Sequence, residues 1–280
     1  MVGSSGAATP GTLHLVSTPI GNLGDLSTRA TEVLGQVAAI LAEDTRHSRV
    51  LTDRYGIRTP LIAHHEHNEA KCTPGLVARL AAGESFALIS DAGTPLLSDP
   101  GARLVRAAIE AGVRVSPVPG ASALLAALVG AGLETDRFTF YGFLPRKGRE
   151  RTALLAEITV LTHTAVLYES AERVAASLRA LADAGAGLRS AVVARELTKQ
   201  FEEFRRGTVE ELAAYYEAHD ARGELVVLVA GAPPRVADEA ELRERAAALR
   251  AEGQSARDVM QHLMETAGAP RNLAYRIAHE

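Results

Sequence analysis

The chain has 280 residues, 47% of them hydrophobic and 23% charged, and carries a formal net charge of −4. At roughly 150 residues per domain this suggests about two domains with cores of their own, and the single cysteine, Cys72, excludes an intrachain disulfide framework. The acidic balance excludes a protein that coats free nucleic acid by charge alone, since such binding rests on phosphate neutralisation, but it leaves room for a local basic patch.

Lysine is confined to Lys71, Lys147 and Lys199 while arginine and alanine abound, which reads as the signature of a GC-rich genome. The opening Met1-Val2-Gly3-Ser4-Ser5-Gly6 lacks the basic and apolar regions of a signal peptide, so residues 1–10 are expected to be a disordered leader. A reducing, cytoplasmic setting suits the lone thiol, and no membrane association is expected.

Short β-branched runs then alternate with helical patterns. Residues 12–17 and 39–42 read as strands around a helix over 27–36, and 46–55 as a further helix. Residues 85–90, with Phe86, Leu88 and Ile89, read as a buried strand; 99–111 as a helix opened by Asp99 and Pro100 and closed by Gly112; and 113–118 as the next strand. Such units predict a mostly parallel sheet covered on both faces, because parallel strands need crossover connections.

After a break at Pro117-Val118-Pro119-Gly120 the alternation resumes at 138–143, 165–168, 190–195 and 224–230, predicting a second α/β lobe. Beyond Pro233-Pro234 only helical patterns remain, over 239–251, 255–267 and 270–279. The expected fold class is thus α/β: a lobe over 11–119, a second over 120–234, and a small helical appendage over 238–280.

Ser90-Asp91-Ala92-Gly93-Thr94-Pro95 follows a predicted strand at its carboxyl end, where ligands of open α/β sheets bind. Asp91 can accept hydrogen bonds from hydroxyls or an amine, Gly93 lets backbone approach a ligand, and Thr94 offers a hydroxyl. An ordinary Asp/Gly turn would use the same residues. Three more loops also follow predicted strands: Thr18-Pro19-Ile20-Gly21-Asn22-Leu23, Ala42-Glu43-Asp44-Thr45-Arg46 and Pro119-Gly120-Ala121-Ser122. The four are expected to converge on one sheet edge. No phosphate-binding G-x-G-x-x-G or G-x-x-x-x-G-K-[ST] occurs. His64-His65-Glu66-His67-Asn68-Glu69 supplies metal-ligand residue types, but no downstream Cys/His pair completes a tetrahedral set, so no metal is expected.

Taken with Asp136-Arg137-Phe138, Gly142-Phe143-Leu144-Pro145, Tyr168-Glu169-Ser170 and Ala194-Arg195-Glu196-Leu197-Thr198-Lys199, these loops resemble the tetrapyrrole methylase superfamily. Within it the chain closely resembles the bacterial 16S ribosomal RNA cytidine 2'-O-methyltransferase I family, over residues 13 to about 230. The resemblance implies two lobes with S-adenosyl-L-methionine in the cleft between them. Asp91, Ala92, Gly93, Thr94, Ser122 and Ala123 would lie near its ribose and methionine ends, and Tyr141, Tyr168, Ala194 and Glu224 near its adenine. The aromatic residues Phe140, Tyr141 and Tyr168 are also candidates for plain strand packing.

The implied reaction is attack of a cytidine 2'-hydroxyl on the sulfonium methyl group, with Glu43 or Asp44 as general base and Arg46 steering phosphate or keeping the carboxylates ionised. Asp44 or Thr45 would equally serve as a helix N-cap. The implied partner is 16S ribosomal RNA within the small ribosomal subunit, approached through Asn22, Arg146, Lys147, Arg149 and Lys199, with Arg205-Arg206 as a second basic site. Lys199 alternatively pairs with Glu196 or Glu202. The 64–69 stretch becomes a polar, substrate-facing loop, and a homodimer is implied. Segment 270–276 resembles the family's closing segment with fewer basic residues. A tetrapyrrole C-methyltransferase and a non-catalytic RNA-binding assembly factor are the alternative functions.

Overall fold

The structure, a computed structural model, describes residues 9–233 and 238–280. The first eight residues of the expected leader and the expected lobe boundary at residue 234 lie outside the described residues. Strands β1 (Thr12–Val16), β2 (Ala39–Ala42), β3 (Leu61–Ala63), β4 (Phe86–Ile89) and β5 (Arg114–Val118) pair in the order β3-β2-β4-β1-β5, every pair parallel. Helices α1 (Thr28–Gln36), α2 (Thr45–Arg54), α3 (Glu66–Ala81) and α4 (Ala102–Glu110) make the crossovers. Alternation along the strands feeds two cores, one with Leu34, Ile40 and Ile89, the other with Leu13, Leu41, Leu80, Phe86 and Leu104. Each fully buried side chain of this kind contributes roughly 1.5–3 kcal/mol.

Two elements here differ from expectation. Residues 66–69 are not a polar loop but the start of α3, with His65 as its N-cap: the Asn68 side chain accepts the His65 N–H at 2.9 Å, and Leu76 and Leu80 bury the helix against the sheet. Helix α4 begins at Ala102 rather than Asp99, because Gly101 turns the chain at φ 121° and leaves Asp99 and Pro100 in the preceding loop. A side chain at 101 would meet Leu88 at 2.5 Å. Gly101 cannot cap the helix, so Glu69 does: its Oε1 accepts the N–H groups of Arg103 and Leu104 at 2.8 and 3.2 Å.

After α5 (Ala123–Ala131), strands β6 (Phe138–Phe143), β7 (Thr164–Ser170), β8 (Ser190–Arg195), β9 (Glu203–Thr208) and β10 (Glu224–Val229) form a second sheet in the order β6-β7-β10-β8-β9. Only β6 and β7 run parallel; the other pairs are antiparallel. The alternation of the first lobe therefore does not carry through. Residues 196–202 alone join β8 to β9, too short a link for a crossover. Helices α6 (Arg149–Val160), α7 (Val174–Leu181) and α8 (Val209–Ala218) cover one face around Ile158, Leu178 and Leu212, and α5 covers the other through Leu124 and Leu128. The chain closes with α9 (Glu239–Ala251), α10 (Ala256–Ala267) and α11 (Arg271–His279), packed on one another around Leu242, Val259, Leu263 and Ile277. No described helix is long and apolar enough to cross a membrane.

Candidate active site

Parallel pairing brings the carboxyl ends of β1, β2, β4 and β5 to one sheet edge, and hydrogen bonds lock their loops together. Thr18 N–H donates to Gly93 O at 2.8 Å and Gly93 N–H returns to Thr18 O at 3.1 Å. The Thr94 hydroxyl donates to Ala121 O at 3.2 Å, and the Asp44 N–H to Asp91 Oδ1 at 3.2 Å. Against this wall stand the end of β7 and the start of β10 from the second sheet. Between them lies a cavity of about 380 Å³, of the size that takes a small ligand.

Of the expected cofactor contacts, Asp91, Ala92, Gly93 and Thr94 line this cavity on the first-lobe side, Ala123 lines it from α5, and Tyr168 and Glu224 line it from the second lobe. Ser122 stands behind Ala123 as the N-cap of α5, its hydroxyl oxygen accepting the Leu125 N–H at 3.4 Å. Tyr141 packs instead into the core under α6 to α8, where its hydroxyl donates to Glu157 Oε1 at 2.9 Å. Ala194 is wholly buried, paired with Val226 between β8 and β10. Tyr168 serves both ends of the earlier alternative: it lines the cavity and packs edge-on against Phe140 at 4.8 Å.

Asp99 is the lining residue that sequence reasoning assigned to a helix cap. Burial pushes its carboxyl up to about 6, with the charges of Glu43 and Asp91 adding to the effect. Glu43 is also raised, first by burial and then by Asp91, against a smaller opposing influence of His65. Left-handed backbone at Leu96 (φ 75°) and Ser98 (φ 69°) bends the loop that carries Asp99 to the cavity. Nothing in the local sequence announces that bend. A second acid in the same strand-end loop as Asp91 was the one available signal.

Asp44 differs from its neighbour. Its carboxylate caps α2 by accepting the Arg46 N–H at 2.8 Å and pairs with the Arg46 guanidinium at 3.2 Å. Hydrogen bonds from Arg46 hold its pKa below the usual carboxylate value. The capping alternative is thus realised, and the Arg46 side chain is 91% exposed beside it.

Among the expected RNA contacts, Asn22 closes a short turn by accepting the Gly24 N–H at 3.0 Å, and Arg146, Lys147 and Arg149 are exposed at the start of α6. Lys199 is engaged internally, its Nζ 2.8 Å from Glu196 Oε1 and 3.1 Å from Glu224 Oε2. Its stem lies across Gly21, where a Cβ would come within 2.4 Å of Lys199 Cγ, so this side chain joins loops of both lobes. Arg205-Arg206 is not a free basic site. Arg205 lies over the Tyr215 ring at 3.7 Å and pairs with Glu203, while Arg206 donates to Gly130 O and Ala131 O at 2.6 and 3.1 Å. His64 is fully buried with neither ring nitrogen hydrogen-bonded, and burial lowers its pKa. Among the described residues no His, Cys, Asp and Glu cluster is arranged to hold a metal.

The family model Tetrapyrrole (Corrin/Porphyrin) Methylases matches residues 12–213, so this two-lobed α/β chain is a methylase by family. The fold is shared with uroporphyrin-III C-methyl transferase from Thermus thermophilus, solved in complex with S-adenyl homocysteine: the TM-score is 0.57 at 19% identity, over 79% of this chain and 97% of that one. Ribosomal RNA small subunit methyltransferase I of Xylella fastidiosa (strain Temecula1) is 48% identical over 96% of this chain and 99% of its own length, and that of Synechocystis sp. is 45% identical over 96% and 98%. The chain belongs to the ribosomal RNA small subunit methyltransferase I family.

Proposed function

We propose that the protein transfers a methyl group from S-adenosylmethionine to the ribose 2'-hydroxyl of a cytidine in 16S ribosomal RNA, acting within the small subunit. The observation that carries this reading is the pair of first-lobe carboxylates lining the inter-lobe cavity, Asp91 and Asp99, with Glu43 close enough to raise the Asp99 pKa and none of the three in a salt bridge among the described residues. The donor set suits the cofactor: carboxylates for ribose hydroxyls and cationic groups, the Thr94 hydroxyl beside them, and apolar walls at Ile20, Leu97 and Val226 for a purine. In this division the lobe of residues 11–119 takes the substrate, residues 120–234 complete the cofactor site, and 238–280 form the separate helical unit.

S-adenosylmethionine supplies an electrophilic methyl group on a good leaving group, which requires no metal. The work left to the chain is to hold the 2'-hydroxyl in line, exclude water and remove one proton. Asp91 and Thr94 would orient the cofactor, Tyr168 and Glu224 would close the second-lobe wall, and the Glu43 carboxylate would take the 2'-hydroxyl proton while the methyl passes from sulfur to oxygen, the sulfur–carbon bond breaking and S-adenosylhomocysteine leaving. Asp44 holds Arg46, and the exposed guanidinium meets an RNA phosphate. A cytoplasmic location follows from the substrate.

A second copy of the chain covers α5. This helix is apolar all round, buries Leu124, Ala127, Leu128 and Ala131, and leaves Leu125 51% and Val129 75% exposed. Val129→Glu is expected to convert a dimer into a monomer by light scattering. For the activity, small-subunit RNA from cells lacking the protein is incubated with it and S-adenosylmethionine, then mapped by mass. One new 2'-O-methylcytidine is expected; an unchanged map ends the reading.

A further inference from the structure

Beside the cofactor cavity runs a second, solvent-open groove of about 670 Å³, between the start of α6 and the start of α7. Three guanidinium groups line it: Arg146, Arg151 and Arg173. Ser170 and Gly223 line both spaces, so only a residue's width separates groove and cavity. Two of the arginines are held by the strap that ends β6: Arg151 Nη1 donates to Pro145 O at 3.0 Å, and Arg173 donates to Leu144 O.

The charges in this groove do not balance internally. Arg173 has one carboxylate partner, Glu169, at 3.3 Å. Glu169 is 3% exposed, and its remaining capacity is taken by the Ser170 N–H at 2.9 Å and the Ser177 hydroxyl at 2.5 Å. Among the described residues neither Arg146 nor Arg151 forms an ion pair. Glu172 is the other acid on the groove; it is exposed at the surface and pairs with neither. Helix α7 also begins here without a side-chain cap, so its positive end adds to the same field. Three guanidinium groups against two carboxylates, with Arg151 and Arg173 held in place by the strap, fit a phosphate, whose oxygens match their forked donors.

We propose that the Arg146–Arg151–Arg173 groove binds one backbone phosphate of the RNA strand that carries the target nucleotide, and so fixes how far that nucleotide enters the cavity. The inference rests on the RNA-methylation reading. It separates these three arginines from Lys147 and Arg149, which stand outside the groove and contribute only general attraction. It also explains how a chain of net charge −4 holds RNA: one bound phosphate sets register, as contacts to phosphate do in general.

The test is equilibrium binding of small ribosomal subunits from cells lacking the protein, at several salt concentrations, by the full chain and by Arg146→Gln, Arg151→Gln and the double variant. Each bound phosphate of a single strand contributes about −0.7 to the slope of log affinity against log salt. Loss of about 0.7 from that slope is expected in the double variant, with affinity about tenfold weaker at low salt and S-adenosylmethionine affinity within twofold of the parent. Arg106→Gln, which removes from the exposed face of α4 the same single charge as each single variant, is expected to leave the slope unaltered. Arg146 has no internal partner, so Arg146→Gln alone reads the groove even if Arg151→Gln disturbs the strap.

An unchanged slope in the double variant while methylation by the parent persists overturns the groove and spares the activity. Parallel loss of S-adenosylmethionine binding overturns it too, by assigning the groove to the cofactor. Absence of methylation by the parent defeats the underlying reading, and the binding slope still decides whether the groove holds a phosphate.

Discussion

Two groups of carboxylates, one in each lobe, live under opposite conditions. At the carboxyl edge of the first sheet, Glu43, Asp91 and Asp99 crowd together, and none forms a salt bridge among the described residues; Glu43 is raised by burial and then by Asp91, and Asp99 by burial and then by Glu43 and Asp91. In the second lobe Glu196 pairs with Lys199, Glu203 with Arg195, and Glu217 with Arg179. There Glu196 and Glu217 are lowered, in each case chiefly by the hydrogen bond from the cation. Paired acids at a surface are inexpensive to keep and hold strands and helices in register. Half-buried acids without a cation partner work against folding, so Asp99 on the cavity, with Glu43 beside it, is where the proposed binding and proton transfer are best tested.

Glu43→Gln tests that contrast most severely. The carboxamide keeps the shape and cannot take a proton, so single-turnover methyl transfer is expected to fall by about 10²- to 10³-fold. S-adenosylmethionine affinity, read by calorimetry, is expected to stay within twofold. Because Glu43 must be ionised to act and its pKa is raised, the parent's transfer rate should decline on acidification at a higher pH than an ordinary glutamate would give. Retention of more than a tenth of the rate by Glu43→Gln, with loss in Asp99→Asn, would move the base to Asp99.

Asp99→Asn carries the next largest effect, and it is on stability. The folded carboxyl holds its proton up to about 6, against an unfolded value near 3.9. Its contribution is therefore fully present below the unfolded value and lost as pH rises through the folded one, so at pH 8 the ionised group opposes folding. Removing the charge should stabilise the protein by roughly 1–2 kcal/mol at pH 8, after allowance for solvent screening, with the gain vanishing near pH 4. Urea unfolding of both proteins across that range reads it. A destabilised variant at pH 8 would mean that Asp99 is compensated after all, and the contrast between the lobes would fail at its clearest member.

How much of this was legible beforehand follows the same division. Four strands of the first sheet could be read because they are short apolar runs, while three-residue β3 is too short to show a pattern; convergence of the Thr18, Glu43, Asp91 and Ser122 loops is a geometric consequence of parallel pairing. Strand β9 could not: Glu203-Phe204-Arg205-Arg206 reads as a charged surface segment, and only Tyr215, Glu203 and the carbonyls of α5 absorb its arginines. Asp99 looked like a cap because the turn at Gly101 is a backbone property, and the true cap, Glu69, arrives from a distant helix. Within the site, Asp91 to Thr94 stood out by residue type. Tyr141 could be separated from the lining residues only by knowing that it faces the core under α6 to α8, and Ala194, on the same face as Tyr168 and Val226, only by knowing that it is buried completely.

Lys199 gives the smallest expected effect and discriminates most finely. As a free cation it would contact RNA; as found, its charge is spent on Glu196 and on Glu224, which itself lines the cavity. Lys199→Met preserves the stem across Gly21 and removes the charge, leaving the Glu224 side chain unanchored. Partly exposed ion pairs contribute up to about 1 kcal/mol, so S-adenosylmethionine affinity should weaken by about threefold to fivefold. The salt dependence of subunit binding should not move, in contrast to the loss expected when Arg146 and Arg151 are neutralised. A reduced slope with cofactor affinity intact would return Lys199 to the RNA surface, beside Arg146 and Arg151, and would mean that its ion pairs with Glu196 and Glu224 give way when RNA binds.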